Sequence, residues 1–448
     1  MTYDTSWRDL TFHDVVPTGG QTARAYLEGC IERIEAREPV VQAFASLNIE
    51  GARAAADAAT ARRAAGRPLS PIDGMPIAIK DLIETADMPT QMGCAAYAGN
   101  WPRRDSAMVQ ALREAGAVIL AKAVTTEMGM SEPGPTTNPW NPAHTPGGSS
   151  SGSAAAVAAG FVPVAIGTQV AGSIIRPAAY CGNWALKPTQ GGVHRGERQG
   201  TSQSTAGPHG NCAEDIWAVA REISARVGGD PGTPGLQGPM STPAPQRPLR
   251  LAVMFTECWP RIDAESQEAF LRFVRALPCE LIWPDQHPLL AAFERATSNA
   301  MALGTLITAF ENRWAFRNLP RQGISARLAR RLDTSAATTA DDYAAALAER
   351  AAMRAAHAAI APLADAIIAP ACPGPAPLWN PRARDAADNP RPTGDPSCNA
   401  GTSALGCPAV TVPMLAVRGL PMGVQLIGQP HQDARMVALA RWLAATPA

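Results

Sequence analysis

Apolar positions along the chain switch repeatedly between helical and strand-like spacing. Gln21 to Glu38 places Ala25, Leu27, Cys30, Ile31 and Ile34 on one helical face. Val40 to Leu47 is predicted as a strand, and Ala52 to Gly66 as an Ala/Arg-rich helix closed by glycine. Ile72 to Asp81 is a turn feeding a short buried strand, Ser106 to Ala115 a helix, and Ala117 to Ala121 a strand. Further on come a helix from Cys212 to Ser224, a strand from Leu249 to Phe255 and a helix from Glu265 to Leu277. Helical tracts run from Leu289 to Leu332, broken near Pro320, and from Asp341 to Ala361. A strand spans Asp365 to Pro370, two more (Cys407 to Met414, Met422 to Ile427) flank a turn at Arg418-Gly419, and a helix closes the chain from Gln432 to Ala444. Strands alternating with helices predict an α/β fold, a large mixed sheet wrapped by helices. Thr125 to Trp140 and Trp184 to Gly210 lack periodicity and are predicted irregular; residues 226–248 and 373–397 are Pro/Gly-rich excursions. No repeat of 20–50 residues interrupts the pattern, and the length of 448 residues admits about two or three domains or one large α/β unit.

One stretch departs from simple periodicity. Pro146-Gly147-Gly148-Ser149-Ser150-Ser151-Gly152-Ser153 leads into the Ala-rich segment Ala154 to Ala159. A second turn follows, Gly167-Thr168-Gln169-Val170-Ala171-Gly172-Ser173-Ile174-Ile175-Arg176-Pro177. Glycine admits crowded or left-handed backbone, and serine before an alanine run starts a helix. Two such turns close together suggest converging backbone N–H groups and hydroxyls.

Composition narrows the function. Lys+Arg 39 balance Asp+Glu 39 over 448 residues, so no basic field points to nucleic acid. The five arginines between Arg317 and Arg331 read as a solvated helix face. Met1 to Val16 has no apolar leader, and the longest apolar run, Ala154 to Gly167, is too short to span a membrane. Nine cysteines without C-x-x-C pairs suggest a reduced, cytoplasmic protein with cysteines as small buried hydrophobes. Only Lys80, Lys122 and Lys187 are lysine. Lysine loses its proton when desolvated and arginine does not, so a lysine here marks a place where arginine cannot serve.

Several familiar chemistries fail on context. Gly148-Ser149-Ser150-Ser151-Gly152 fits G-x-S-x-G, but a loop, Asn141 to Pro146, precedes it where a nucleophile elbow needs a strand. A phosphate loop needs lysine where Ser153 stands. The seven histidines show no metal-ligand spacing, and His144 and His194 are isolated loop residues. Lys80 ends the apolar run Ile77-Ala78-Ile79. Buried, it is a neutral base for a serine; at a strand end, it reaches solvent or pairs with Asp81.

Taken together, the motifs resemble the amidase signature family of Ser–cis-Ser–Lys hydrolases. Gly74-Met75-Pro76-Ile77-Ala78-Ile79-Lys80-Asp81 is similar to the family's base-bearing strand. Asn138-Pro139-Trp140-Asn141-Pro142 and Thr145 to Ser150 are similar to the segment whose first serine takes a cis peptide. Gly172-Ser173-Ile174, Arg176-Pro177, Cys181-Gly182 and Leu186-Lys187-Pro188-Thr189 resemble the nucleophile region, and Gly419 to Gly428 the C-terminal signature. The resemblance covers about Thr22 to the C-terminal helix, with a core near 73–190, and implies a single domain over 1–448. It implies Ser173 as nucleophile, Ser149 as bridging serine and Lys80 as neutral base. It also implies an oxyanion hole from the N–H groups of Val170, Ala171, Gly172 and Ser173. Met128 and Gly129 occupy the place of a loop that lines the acyl pocket, and Trp379 is a candidate edge for an aromatic substrate.

The expected activity is hydrolysis of an aryl amide or carbamate, with esters as a further class, through an acyl-enzyme on Ser173. No cofactor or metal is implied. The expected partner is a small-molecule amide or carbamate, with no nucleic acid or membrane, and the chain acts as monomer or homodimer. Two alternatives stand: the amidase-like subunit of a tRNA-dependent amidotransferase, and an inactive binding protein on the same scaffold. This sequence departs from the family pattern at Ser151 and Ala171, each in place of glycine, and at Gln169, in place of an acid that supports the Ser173 turn. Arg176 also stands one residue later than in the commonest pattern.

Overall fold

The computed structural model describes residues 11–130, 132–196, 201–319, 321–379 and 391–446. Eleven strands form one sheet: β1 Phe44–Leu47, β2 Pro76–Lys80, β3 Val118–Ala123, β4 Val164–Gln169, β5 Trp184–Lys187, β6 Thr205–Gly210, β7 Arg250–Val253, β8 Glu280–Ile282, β9 Ala366–Pro370, β10 Ala409–Val417 and β11 Leu420–Ile427. Their spatial order is β1-β3-β2-β4-β6-β5-β10-β11-β9-β7-β8. β2 runs parallel to both β3 and β4, β9 and β7 are parallel, and the β4-β6-β5-β10-β11-β9 run is antiparallel. The sheet is therefore mixed, as the α/β pattern predicts. β10 and β11 lie between β5 and β9, so the hairpin that carries the C-terminal signature joins the two halves of the sheet.

The central strands read as continuous apolar runs because helices cover both faces. Every residue of β2, β3, β4 and β9 is buried. On one face the helix Ser151–Ala158, buried throughout, packs against β4; small residues let it lie close. Gly152 is required there, because a Cβ would fall 2.2 Å from Ala43 O and 2.4 Å from Val124 N.

Four expectations need correction. The first helix continues through Pro39 to Val41, since Val41 is buried, and only Phe44–Leu47 remains strand. The stretch from Trp184 to Gly210 is not irregular throughout: it supplies β5 and β6. Gly207 and Pro208 disguise β6, yet Gly207 must be glycine, because a Cβ would sit 2.1 Å from Leu186 O. A helix unforeseen in the sequence, Ser397–Leu405, follows the Pro-rich excursion; its small polar residues give no amphipathic stripe. Finally, Cys258 and Cys398 are disulfide-bonded, against the expectation of reduced thiols; Cys30, Cys94, Cys181, Cys372 and Cys407 are free and buried. The tract from Leu289 to Leu332 resolves into helices Pro288–Thr297, Ala300–Arg317 and Ala326–Ala337, while Pro320 and residues 380–390 lie outside the described residues. Among the described residues, no helix is long and apolar enough to cross a membrane.

Candidate active site

All three lysines are fully buried, which accounts for their rarity in a chain whose surface cations are arginines. Lys122 pairs with Asp81 at 3.1 Å, and Lys187 donates to Pro188 O at 3.1 Å. Asp81 is thus engaged by Lys122, and Lys80 is turned elsewhere.

Lys80 sits at the C-terminal end of β2, beside the end of parallel β4. Open α/β sheets bind ligands at such strand ends. Its Nζ lies 2.7 Å from Ser149 Oγ, 3.0 Å from Ser150 Oγ, 2.9 Å from Thr168 Oγ1 and 3.4 Å from Thr168 O. None of these partners is an acid. Burial therefore holds the amine well below the usual lysine range, and the nearby Arg176 guanidinium pushes it the same way. A neutral amine has two N–H groups and one lone pair. Ser150 Oγ already donates to Thr168 O and accepts from Thr168 N, both at 3.2 Å, so toward Lys80 it only accepts. Thr168 O likewise only accepts. In the neutral form these two take the amine's N–H groups, which leaves the lone pair for one of two hydroxyls, Ser149 Oγ at 2.7 Å or Thr168 Oγ1 at 2.9 Å.

The Gly148–Ser149 peptide is cis, as expected from the resemblance. Arg176, itself buried, holds this segment: its Nη2 donates to Gly148 O at 2.6 Å and its Nε to Thr393 O at 2.8 Å. Gly147 adopts φ +85°, and a Cβ there would meet Pro177 Cα at 2.8 Å, so two glycines let the turn lie against the nucleophile-region helix Ile175–Cys181.

Ser173 lies on the turn between β4 and that helix, half-buried, as are Val170 and Ala171; Gly172 is buried. Among the described residues, the N–H groups of Ala171, Gly172 and Ser173 donate to no protein acceptor. Gly172 has no room for a side chain, since a Cβ would stand 2.7 Å from Asn399 Oδ1 and 2.8 Å from Arg176 Nη1. Gln169 supports the turn in place of the acid. Its Oε1 accepts from the N–H groups of Ile174 (2.9 Å) and Ile175 (3.0 Å). Ser151, the second departure, donates to Val124 O at 3.3 Å.

The two pocket candidates separate. A Cβ on Gly129 would be 3.7 Å from Ser149 Oγ, so this glycine borders the serine. Met128, at φ 52°, instead packs with Phe316, Leu319, Leu328 and Leu332. His144 and His194 bind backbone, at Ala376 O and Gly196 N. Trp379 is buried, its N–H donating to Ala143 O. Among the described residues, no cluster of three His, Cys, Asp or Glu side chains could hold a metal ion.

Sequence reading missed Ser150 and Thr168 as partners of Lys80, and Gln169, Thr402 and Ser403 as a buried polar cluster. The adjacency of Ser150 to Ser149 was a usable signal. No periodicity marks Thr402 or Ser403.

A buried lysine of lowered pKa bonded to a serine, near a turn whose N–H groups donate to no protein acceptor among the described residues, is equipment for acyl transfer. Comparison with known proteins agrees with that class. The chain belongs to the Amidase family, whose model matches residues 25–437. It is 33% identical over 460 residues to a glutamyl-tRNA(Gln) amidotransferase subunit of Chloroflexus aurantiacus, covering 94% of this chain and 92% of that one. Among solved structures it is similar to an amidase, with 28% identity, TM-score 0.80 and 99% of each chain covered. It is also similar to a peptide amidase solved with the inhibitor chymostatin, with 28% identity, TM-score 0.74, and 96% of this chain and 95% of that one covered. The fold and the family together make it an amidase-signature amidohydrolase.

Proposed function

We propose that this chain hydrolyses a small aryl amide or carbamate, and activated esters, by a Ser–cis-Ser–Lys mechanism without a cofactor, as a monomer or homodimer. The observation that carries the reading is Lys80: fully buried, its pKa pushed well down by burial, and 2.7 Å from Ser149 Oγ. Ser149 passes its proton to Lys80 and takes one from Ser173 as Ser173 Oγ bonds to the substrate carbonyl carbon. The oxyanion is received by the N–H groups of Val170, Ala171, Gly172 and Ser173, each such donor contributing about 3–4 kcal/mol in the transition state. Lys80 then returns the proton through Ser149 to the leaving nitrogen, and the C–N bond breaks. Water attacks the acyl-enzyme by the same relay and regenerates Ser173. Protonation of the leaving nitrogen is what opens amides, as well as esters, to the enzyme.

A second reading is favoured by the similarity, over nearly the whole chain, to one component of a tRNA-dependent amidotransferase. In that reading the chain releases ammonia for a partner to use. A panel of aryl amides, aliphatic amides, carbamates, esters and glutamine, run on the purified lone chain, separates the two. Turnover of aryl amides or carbamates supports hydrolysis as the function. Activity confined to glutamine, and raised by partner proteins, overturns it.

A further inference from the structure

The helix Ser397–Leu405 lies against the nucleophile turn through a directional chain of hydrogen bonds. Gln169 Oε1 accepts two backbone N–H groups, from Ile174 and Ile175, so the orientation of its amide is fixed. Its Nε2 therefore donates to Ser403 Oγ at 3.2 Å and Thr402 Oγ1 at 3.4 Å. Ser403 Oγ passes its own proton onward, to Ala171 O at 3.2 Å. The helix itself is moored to the sheet. Asn399 Nδ2 donates to Ala371 O at 2.9 Å, and Gln425 Nε2, on β11, donates to Cys398 O at 2.8 Å.

Val170 O is not held in the same manner: it lies 3.5 Å from Gln203 Nε2, whose two N–H groups have nearer acceptors in Gly304 O at 3.0 Å and Thr308 Oγ1 at 3.2 Å. Gly172 O receives Arg176 N at 3.0 Å. In a trans peptide the C=O and the following N–H point in opposite directions. Two successive carbonyls, of Ala171 and Gly172, are thus drawn toward protein donors, and the N–H groups of Gly172 and Ser173 are turned away from them. These are among the N–H groups that donate to no protein acceptor among the described residues.

We propose that Ser403, oriented by Gln169, is a positioning residue that aims the oxyanion donors by holding the carbonyl of Ala171. The proposal rests on the reading of Ser173 as nucleophile. It also explains why glutamine serves at position 169. A glutamate would accept at both oxygens, so Ser403 would donate to the carboxylate and release Ala171 O.

The test compares Ser403→Ala, Ser403→Thr, Gln169→Glu and Ser173→Ala. Each is assayed for kcat and KM on an aryl amide, affinity for a trifluoromethyl ketone that mimics the tetrahedral oxyanion, and Tm. Removing an oxyanion donor outright costs about 100- to 1,000-fold in kcat, so a misaimed one is expected to cost about 10- to 100-fold. Ser403→Ala is expected to lose that factor in kcat and the same factor in ketone affinity, with KM within about 3-fold of wild type. Ser403→Thr keeps the hydroxyl and restores both, and Gln169→Glu reproduces the loss even if Ser403→Ala folds poorly. A Ser403→Ala or Gln169→Glu enzyme that folds and keeps wild-type kcat and ketone affinity overturns the proposal. So does a kcat loss that follows Tm alone and leaves ketone affinity unchanged. If Ser173→Ala hydrolyses as wild type does, the nucleophile reading fails and the positioning proposal falls with it. An inactive Ser173→Ala beside an unaffected Ser403→Ala removes only the positioning proposal.

Discussion

Replacing Lys80 by methionine removes the base while keeping a similar chain in the pocket. In the proposed mechanism the amine acts twice on an amide, taking the proton of Ser173 through Ser149 and returning it to the leaving nitrogen. General acid–base assistance is worth about 100- to 10,000-fold per proton transfer. Losing both steps is expected to lower kcat/KM on an anilide by about 10,000-fold or more, roughly 5.5 kcal/mol. An activated aryl ester needs no proton on its leaving group, so only the first step is lost, about 100-fold or roughly 2.7 kcal/mol. Folding should not confound the comparison. Ser150 Oγ and Thr168 O remain bonded to each other without Lys80, while the buried hydroxyls of Ser149 and Thr168 lose it as a partner. The lost hydrogen bonds cost about 2–4 kcal/mol. Against that stands the cost of burying the amine. Its folded pKa lies below its unfolded value, so between the two the unfolded chain binds the extra proton and wild-type stability rises with pH. At neutral pH the methionine variant escapes that cost, and its Tm should stay near wild type. The assay is steady-state hydrolysis of matched anilide and p-nitrophenyl ester substrates, with thermal melts of both proteins. Equal losses on the two substrates would refute leaving-group protonation through Lys80, and a collapsed melt would refute the packing estimate.

Other perturbations probe the frame around the site. Asp215 is buried, accepts from His13 N at 3.2 Å, and has its pKa pushed up by burial to about 7. The folded state holds this proton more tightly, so its contribution to stability is present below about pH 4 and is lost as pH rises through 7. Asp215→Asn should flatten that slope and stabilise the protein at pH 8 by up to about 4 kcal/mol, measured by urea unfolding at pH 5 and 8. Gly152→Ala forces a methyl against the backbone of Ala43 and Val124, and should cost about 3 kcal/mol or prevent folding, read from expression and Tm. The Cys258–Cys398 disulfide leaves seven free cysteines, so thiol titration of the denatured, unreduced chain should give seven and, after reduction, nine.

The parts of this protein that follow a period were legible in its sequence. β2 and β3 announce themselves as apolar runs, and Lys80 stands out because the chain has only three lysines. The two Gly/Ser turns were visible because glycine is needed where Gly147 and Gly172 meet other backbone and buried side chains. What stayed hidden obeys no period. β6 carries Gly207 and Pro208 inside a strand, because Leu186 O presses against Gly207. The Ser397–Leu405 helix is buried almost throughout, yet its residues are small and polar, so neither hydropathy nor spacing identifies it. Several of its polar groups bond to Gln169, Ala171, Ala371 and Gln425, all distant in sequence. Gln169 itself departs from the family's acid, and its support of the Ser173 turn emerged only from the geometry of its amide.

The central claim, a covalent acyl-enzyme on Ser173, is tested most directly by mass spectrometry of the intact chain and its peptides after reaction with a fluorophosphonate. The expected result is a single adduct on Ser173, absent from Ser173→Ala and slowed by several orders of magnitude in Lys80→Met. An adduct on another residue, or none on a folded and catalytically active enzyme, would contradict it.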